Sequence, residues 1–418
     1  MSRLSHESKL RPWWADDLQR HGIRVHWRIN PSSLQSIYRC WHIPVFDLDA
    51  LCIYSAQGHA QPLTEIISAN RASRNSRSSF LQAAMRLAIR VIYVLGLKYG
   101  VVTMIRSEQG LPVVSELITS LKTLQEPLSS QLKKAMDCGQ VSIASLSKRT
   151  DVVELIKLGL DIEFIFRRPD PNGKIVPASR FFQRNGQVGC DSVRIGGKLH
   201  YPLAELRPSP AVEPQELFRN LYAAMRKAAS RVGDASLEWL AGGMPARGLP
   251  LGGHIHVSGV PLNADLLRAM DNYMALPLVL LEDSTTSRRR PAYGALGDFR
   301  RQSHGGFEYR TLPSWIVSPA LAMGVIALAR VIVEHYAELR QRPLARPEMQ
   351  TAYYAGDKLS IQPVVPSLWQ DLEATPAYKR YEPSLARLKR AMIQMKSWNE
   401  QRDLRIAWKI PPYHKIMV

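Results

Sequence analysis

Hydrophobic and polar positions alternate between residues 252 and 259, where the chain reads Gly-Gly-His-Ile-His-Val-Ser-Gly. Successive side chains of a strand point to opposite faces of a sheet, so His254 and His256 share one face and Ile255 and Val257 share the other. The segment therefore predicts a strand with an apolar back and a front that can bind a ligand.

The same spacing of polar residues recurs in three further short segments rich in β-branched and aromatic residues. These polar pairs are Asp161 and Glu163, Glu205 and Arg207, and Glu308 and Arg310. If the four strands share a sheet, one face carries several carboxylates, imidazoles and guanidinium groups. Burying so many like charges is very costly without compensation. One or two divalent cations would provide that compensation, since oxygen-rich sites suit Mg²⁺ or Mn²⁺, and the arginines would suit phosphate.

Each pair taken alone has an ordinary interpretation, because a His-x-His or Glu-x-Arg pattern is usually a surface or solvated strand face. The recurrence of the pattern, mostly beside Gly or Pro, favours a shared site over four unrelated strand faces. Asp191 follows a glycine-rich segment and has two interpretations, a place at the edge of the site or local turn chemistry, of which the second is preferred.

Helical periodicity surrounds these strands. Apolar residues recur at helical spacing in residues 80–97, 213–232, 263–281 and 319–340, and residues 364–400 are mostly helical in pattern. The helix over 213–232 is expected to back the apolar face of the sheet. Two strands, 100–105 and 111–117, are expected to be joined by a turn at Gln109-Gly110, and 118–150 reads as a polar helical linker. We therefore predict a domain over 1–150 and a second over 151–418.

The chain has 418 residues and a formal net charge of +19, which favours acidic partners such as nucleotides, anionic polymers or an acidic peptide. A general basic bias of the proteome explains the charge equally well. Nucleic acid is an unlikely partner, because no motif for binding it stands out. Oligomer formation stays open.

The cellular location is expected to be cytoplasmic. Neither a continuous apolar run long enough for a membrane span nor the apolar centre of a signal peptide is found. The four cysteines show neither metal-binding spacing nor a disulfide framework, which indicates a reducing compartment.

The motifs resemble those of a ligase superfamily. GLDIEF is similar to the Gly-x-Glu-x-Glu-Phe strand of glutamine synthetase and glutamate–cysteine ligase, and GGHIHVSG to their Gly-x-His-x-His strand. The run YGALGDFRRQSHGGFEYRTLPSW, with AELRPSP and YYAGDKLS, is more specifically similar to the bacterial and phage carboxylate–amine ligases, COOH-NH2 ligase type 2. The resemblance covers about residues 155 to 360, with the motifs in the family's order.

The resemblance implies an α+β fold, with a curved antiparallel sheet of glutamine synthetase-like type backed by helices, and ATP-dependent amide formation through an acyl phosphate. The implied metal ligands, for two Mg²⁺ or Mn²⁺ ions, are Asp161, Glu163, Glu205, His254 and Glu308. The implied ATP-binding residues are His256, Arg290, Arg300 and Lys358, and the implied catalytic residues are Glu205, Arg207 and Arg310. Asp161 departs from the family's usual Glu, and its side chain is one methylene shorter. The resemblance therefore implies that its metal is shifted slightly or is bound through a water molecule.

The substrates stay open among an amino acid, a peptide end and a cell-envelope peptide. Two other functions fit the same motifs: a kinase acting on a guanidino group, and a non-catalytic module that binds nucleotide or peptide. A stable phosphorylated product would distinguish the kinase, because a ligase releases free phosphate.

The N-terminal part resembles a different class of ligase. The segment LGLKYGVVTMIRSEQGLPVVSELITS is similar to the C-terminal end of ATP-grasp ligases, where a Glu and an Asn hold magnesium. Here Glu116 keeps the acid, but Ile118 stands where the Asn belongs. We therefore expect a smaller, degenerate α/β domain that serves as a scaffold or recognises substrate.

Overall fold

A computed structural model describes residues 13–26, 39–57, 63–67, 78–146, 156–169, 173–303 and 305–412. The polar, serine- and arginine-rich segment over 68–79, whose composition predicts a loop, lies largely outside them. The chain divides into two compact units, residues 1–149 and 150–418.

Unit 1 is built on a six-stranded sheet in the order β4-β3-β1-β5-β6, with β2 paired to β1. All strand pairs within this sheet are antiparallel. Its strands are β1 (Arg39–Phe46), β2 (Asp49–Ala50), β3 (Ile53–Gln57), β4 (Thr64–Ile67), β5 (Tyr99–Arg106) and β6 (Pro112–Ile118). Its helices are α1 (Trp13–Arg20), α2 (Ser79–Val94) and α3 (Leu128–Leu146), with a 3₁₀ turn at Leu121–Thr123. The helix expected over 80–97 and the hairpin expected over 100–117 are both present.

Unit 2 contains the predicted four-strand arrangement. Its sheet has eight strands, with six in the order β13-β14-β12-β7-β10-β9 and with β8 and β11 both paired to β7. The strands are β7 (Lys157–Arg167), β8 (Ile175–Val176), β9 (Val188–Ile195), β10 (Lys198–Leu206), β11 (Glu238–Leu240), β12 (Gly253–Ser258), β13 (Phe299–Arg301) and β14 (Phe307–Tyr309). All of these pairs are antiparallel. The four strands with polar pairs, β14, β12, β7 and β10, are therefore consecutive neighbours.

Helices surround this sheet. They are α4 (Pro214–Val232), α5 (Ala264–Met270), α6 (Leu276–Leu278), α7 (Pro319–His335), α8 (Pro347–Ala355), α9 (Lys358–Ile361), α10 (Val365–Glu373), α11 (Pro376–Ile393) and α12 (Leu404–Trp408), with short 3₁₀ turns between several of them. The α4 helix packs on β7, β9 and β10, and α7 packs on α4 and α11. The predicted α+β class, a curved antiparallel sheet backed by helices, is confirmed.

Local sequence explains the limits of α4. Pro214 occupies its first turn, where a missing backbone N–H costs nothing, and Gly233 ends it in the left-handed region at φ +62°. Its apolar stripe, including Leu217, Leu221 and Met225, is fully buried.

The helix expected over 263–281 is interrupted. After Asn263 caps it by accepting from the Leu266 N–H, the α-helical geometry gives way to a π turn at Asp271–Ala275. The buried Asp271 accepts a hydrogen bond from the Tyr309 hydroxyl at 2.6 Å. No helix among the described residues has the length and apolar character that crossing a bilayer requires.

Candidate active site

The strand register places the polar pairs on one face of the unit 2 sheet. Residues directly opposite each other on neighbouring strands share a face. The opposed pairs are Glu163 with Glu205, Asp161 with His254, and His256 with Glu308. Side chains two residues apart along a strand also share a face, so these six residues form one continuous polar surface.

One end of this surface holds the first triad, which consists of Asp161, His256 and Glu308. Their ligand atoms all lie within 4.8 Å of one another. The His256 Nε2 atom is 3.1 Å from Asp161 Oδ2, but it is buried and makes no hydrogen bond there. A buried imidazole nitrogen without a hydrogen bond, beside two carboxylates, has the arrangement of a cation ligand.

The second triad consists of Glu163, Asp191 and Glu205, and its ligand atoms also lie within 4.8 Å of one another. Burial of Glu163 raises its pKa, and the nearby charge of Asp191 adds to this effect. The charge of His254 and the Gly252 N–H, which donates to Glu163 Oε2 at 2.6 Å, act in the opposite direction. Three carboxylates this close repel one another, and a cation between them would relieve that repulsion.

Glu308 is kept ionised by its neighbours. Burial disfavours its charged form, but the hydrogen bond and charge of His254 and the charges of Arg310 and Arg300 outweigh burial and lower the pKa to about 2. The distance from His254 Nδ1 to Glu308 Oε1 is 3.0 Å. His254 thus contacts Glu308, and the structure groups His256 rather than His254 with the first triad.

Cationic groups border the acidic surface. Arg310 Nη1 lies 2.8 Å from Glu308 Oε1, and Arg300 Nη1 lies 3.4 Å from the other oxygen. Arg207 pairs with Glu205 and also donates to the Arg184 carbonyl. The Arg300 side chain is 62% exposed, so its guanidinium can leave Glu308 for a phosphate at little cost.

The structure does not bring Arg290 to this surface as the sequence predicted. Its side chain is fully buried, where its guanidinium pairs with Glu282, donates to the Tyr353 carbonyl at 2.7 Å and lies over the Tyr353 ring. A guanidinium engaged in this way stabilises the fold and has little capacity left for a phosphate.

Lys358 also lies in a different environment from the predicted one. Its ammonium donates to the Glu282 carbonyl and to the Ser397 hydroxyl, both at 2.5 Å. Burial lowers the pKa of Lys358, against the charges of Glu282 and Asp283. Arg290 therefore joins Glu282 to Tyr353 of α8, and Lys358 of α9 joins Glu282 to Ser397.

Sequence reasoning did not assign three residues near the site, although it weighed Asp191 as a residue at the edge. Asp191 lies on β9 rather than in a turn, and alternation along Val188–Ile195 could have indicated this. Arg289, fully buried, donates to the Thr311 carbonyl at 3.0 Å and contributes positive charge to Glu163. Asp298 Oδ2 lies 3.8 Å from Arg310 Nε, and no sequence pattern marks it.

The donor set of the two triads, five carboxylates and one imidazole, fits Mg²⁺ or Mn²⁺. Hard divalent cations prefer oxygen ligands and accept a single imidazole. The orphaned His256 nitrogen and the crowded carboxylates are the features of this chain that such an ion would satisfy.

Comparison with known proteins gives the following. The family model described as phage phiEco32-like COOH.NH2 ligase-type 2 matches residues 158–410. A search of curated protein sequences finds no match. Similar solved structures include a bifunctional glutathione synthetase from Pasteurella multocida, with 14% identity, TM-score 0.38, and 64% of this chain and 54% of that chain covered. Another is the complex of prokaryotic ubiquitin-like protein Pup with its ligase PafA, with 12% identity, TM-score 0.38, and 59% and 65% covered.

A third similar structure is a glutamine synthase homolog, with 14% identity, TM-score 0.29, and 72% of this chain and 79% of that chain covered. This chain thus spans between half and two thirds of the length of the first two structures. The family model, in contrast, covers more than half of this chain, from the first site strand to beyond α12. The chain belongs to the phage phiEco32-like COOH.NH2 ligase-type 2 family.

Proposed function

We propose that this protein is an ATP- and divalent-metal-dependent ligase that joins a carboxylate to an amine through an acyl phosphate. The observation that carries the proposal is the pair of triads on one sheet face, bordered by arginines. Transfer of a phosphoryl group requires neutralisation and alignment of its charge far more than covalent participation by the protein. A face with this composition provides both.

The two triads would hold two ions. Asp161, His256 and Glu308 would ligate one, and Glu163, Asp191 and Glu205 would ligate the other. When bound, the ions would supply positive charge to the phosphates of ATP. His254, which the sequence assigned to a metal, is proposed to orient Glu308 through their 3.0 Å contact.

The arginines would act on the transferred group. Arg300, the most exposed of them, is proposed to bind the γ-phosphate of ATP. Arg310 and Arg207 are each held by a carboxylate of the face, and they are proposed to stabilise the negative charge of the acyl phosphate and of the intermediate formed from it. Bidentate donors with a fixed orientation suit these oxygens better than a lysine would.

The amine must lose a proton as it attacks the acyl phosphate, and Asp298 is proposed to accept it. Its carboxylate is 44% exposed and 3.8 Å from the guanidinium of Arg310, the residue assigned to the acyl phosphate. The backbone links the two as well, since the Arg310 N–H donates to the Asp298 carbonyl at 2.9 Å. A carboxylate there can bind an ammonium group and then take its proton.

Asp298→Asn tests this role. We expect amide formation with an ammonium-bearing amine to fall about 100-fold, the usual contribution of a general base. Hydroxylamine is largely uncharged at neutral pH, so hydroxamate formation from the same acid should persist. Equal loss of both products would place Asp298 elsewhere in the reaction, and Asp265→Asn, an exposed acid on α5, is the matched control.

The substrates are proposed to be an amino acid or a peptide, including a cell-envelope peptide, and the reaction to occur in the cytoplasm. The cysteines Cys52, Cys138 and Cys190 form no disulfide among the described residues, which supports a reducing compartment. The positive net charge supports an acidic substrate or partner.

The experiment that tests the proposal measures phosphate release from ATP with Mg²⁺ or Mn²⁺ against pools of amino acids and short peptides. Mass spectrometry identifies the products. ADP, phosphate and a product lighter by one water than its two components would establish the ligase and identify its substrates. A stable phosphorylated product would instead indicate a kinase. Saturable ATP binding without turnover would indicate a binding module.

A further inference from the structure

Glu400 lies outside the sheet and belongs to the segment between α11 and α12. Only 1% of it is exposed, and its carboxylate lies at the meeting point of three chain segments. The donors to its oxygens are Gly243 N (2.5 Å), Met244 N (2.9 Å), Thr285 Oγ1 (3.0 Å), Thr286 Oγ1 (2.5 Å) and Trp398 Nε1 (3.4 Å). All are neutral groups, so dipoles rather than a countercharge stabilise this buried carboxylate.

Glycine is required at two positions of the turn that contacts Glu400, residues 242 and 243. A Cβ on Gly242, whose φ is +117°, would lie 2.4 Å from the Glu400 Cγ atom. A Cβ on Gly243 would lie 2.4 Å from a Thr286 methyl group. The Gly-Gly pair at 242–243 therefore matches the close approach of the carboxylate, a reason that the sequence alone does not reveal.

One route leads from this turn to the carboxylate of Glu163. The Leu251 N–H donates to the Gly243 carbonyl at 2.9 Å. The next residue, Gly252, donates its N–H to Glu163 Oε2 at 2.6 Å. Displacing the turn would thus move the only backbone donor described for this ligand atom.

A second route leads to the backbone of Glu163. The Ser314 N–H donates to the Gly242 carbonyl at 3.0 Å, and the Ser314 hydroxyl donates to the Glu163 carbonyl at 2.5 Å. The side chain and the main chain of Glu163 are therefore both connected to the turn at 242–244.

We infer that Glu400 is a positioning residue for the second metal site. By fixing the turn at residues 242–244, it sets the place of Gly252 and Ser314 and, through them, the direction of the Glu163 carboxylate. This inference rests on the proposed function, since it takes Glu163 as a metal ligand. Groups that orient a ligand usually change metal affinity 10- to 100-fold when they are altered.

Glu400→Gln is the test variant, because it keeps the size of the side chain but replaces one acceptor oxygen with an NH₂ group. Since both oxygens face N–H donors, either orientation of the amide sets a donor against a donor. Asp403→Asn is the matched control. Asp403 is also a buried carboxylate of the same segment, and it accepts from the Arg405 N–H at 3.0 Å and pairs with the Arg405 guanidinium.

The readout is binding of Mn²⁺ alone, followed by the electron paramagnetic resonance signal of free Mn²⁺, with thermal unfolding recorded in parallel. We expect Glu400→Gln to weaken one of two Mn²⁺ sites about tenfold. Asp403→Asn should leave both sites unchanged even where it lowers the unfolding temperature as much. If Glu400→Gln does not fold, Thr286→Val is the second test variant, because it removes one donor to Glu400 while keeping the shape of the side chain. It should weaken the same Mn²⁺ site about threefold, since only one of the hydrogen bonds to Glu400 is lost.

Unchanged Mn²⁺ affinity in Glu400→Gln, or in Thr286→Val where only that variant folds, would overturn the inference, as would equal weakening by Asp403→Asn. A wild-type protein that binds no Mn²⁺ at millimolar concentration would overturn the metal assignment of the proposed function, and the inference with it. The wild-type titration thus separates the two failures.

Discussion

The two sheets of this protein are both antiparallel, and each carries a histidine with a buried ring nitrogen, but these two nitrogens have different partners. In unit 1, His42 on β1 lies directly opposite Thr103 on β5, and their side chains hydrogen-bond at 3.0 Å. In unit 2, His256 lies among carboxylates with a buried nitrogen that makes no hydrogen bond. The His42 nitrogen is thus paired within its own sheet, whereas the His256 nitrogen is left for a ligand to complete.

This difference shows where the function is encoded. Burying a polar group without a partner costs free energy, so a fold keeps such a group only where something else compensates it. Several carboxylates on the unit 2 sheet face add to that cost, since each disfavours ionisation of the next. The unit 2 sheet therefore carries the site through the register of its polar pairs and not through antiparallel pairing as such, which the unit 1 sheet also has.

The largest expected effect comes from removing one acid from each triad. Glu163→Ala and Glu308→Ala should each reduce Mg²⁺-dependent ATP turnover by roughly three orders of magnitude, because each would remove a ligand and the neutralisation that depends on it. Turnover is measured with the substrates found by product analysis. Circular dichroism checks that the variants are folded.

No Asp or Glu is buried among the residues of unit 1 that the structure describes, so the control is Asp265→Ala, an exposed acid of unit 2. It should keep full turnover. Normal turnover by both triad variants would remove the contrast between the two sheets.

A second prediction separates two arginines that the sequence treated alike. Arg290→Met should lower the free energy of unfolding by about 3 to 5 kcal/mol, because it leaves the buried Glu282 carboxylate without its partner. Arg300→Met should leave stability within about 0.5 kcal/mol, since that side chain is mostly exposed. Its effect should instead be a higher KM for ATP.

Urea unfolding and ATP kinetics measure these two effects. A stable Arg290→Met protein with a raised KM for ATP would show that Arg290 contacts phosphate, as first predicted. The two variants together therefore show which of the two arginines belongs to the ATP site.

Much of the fold could be predicted from local pattern. Spacing of two between polar residues identified four strands and one shared face, because alternation is a property of any strand. The amphipathic stripe of α4 and its Pro and Gly limits are equally local. What local pattern could not provide is the strand order, in which β12 lies between β7 and β14 although β8 to β11 separate it from β7 in sequence.

The differences between the expected and the observed site also come from contacts that residue spacing does not show. Asp191 joins the second triad because it lies opposite Leu203 in the β9–β10 pair, beyond a register shift between His200 and Leu203 that residue spacing does not show. Arg290 is buried against Glu282 and Tyr353, which are 8 and 63 residues away in the sequence, whereas Arg300 is mostly exposed beside Glu308. His254 and His256 share a face, so only the neighbouring strands decide which of them meets the first triad.

The smallest expected effect tests the other sheet. Glu116 on β6 lies opposite Thr103, and its neighbour Ile118 lies opposite Val101. The resemblance of this segment to ATP-grasp ligases stays a prediction, and Ile118 lacks the amide oxygen that a magnesium site there needs. Glu116→Ala should therefore change ATP turnover by less than about twofold, as surface substitutions outside a site generally do. The same phosphate-release assay measures it, with Glu163→Ala as the inactive reference. A loss comparable with that reference would mean that unit 1 has metal chemistry of its own. The contrast between a sheet without a ligand site and a sheet that binds a ligand would then fail.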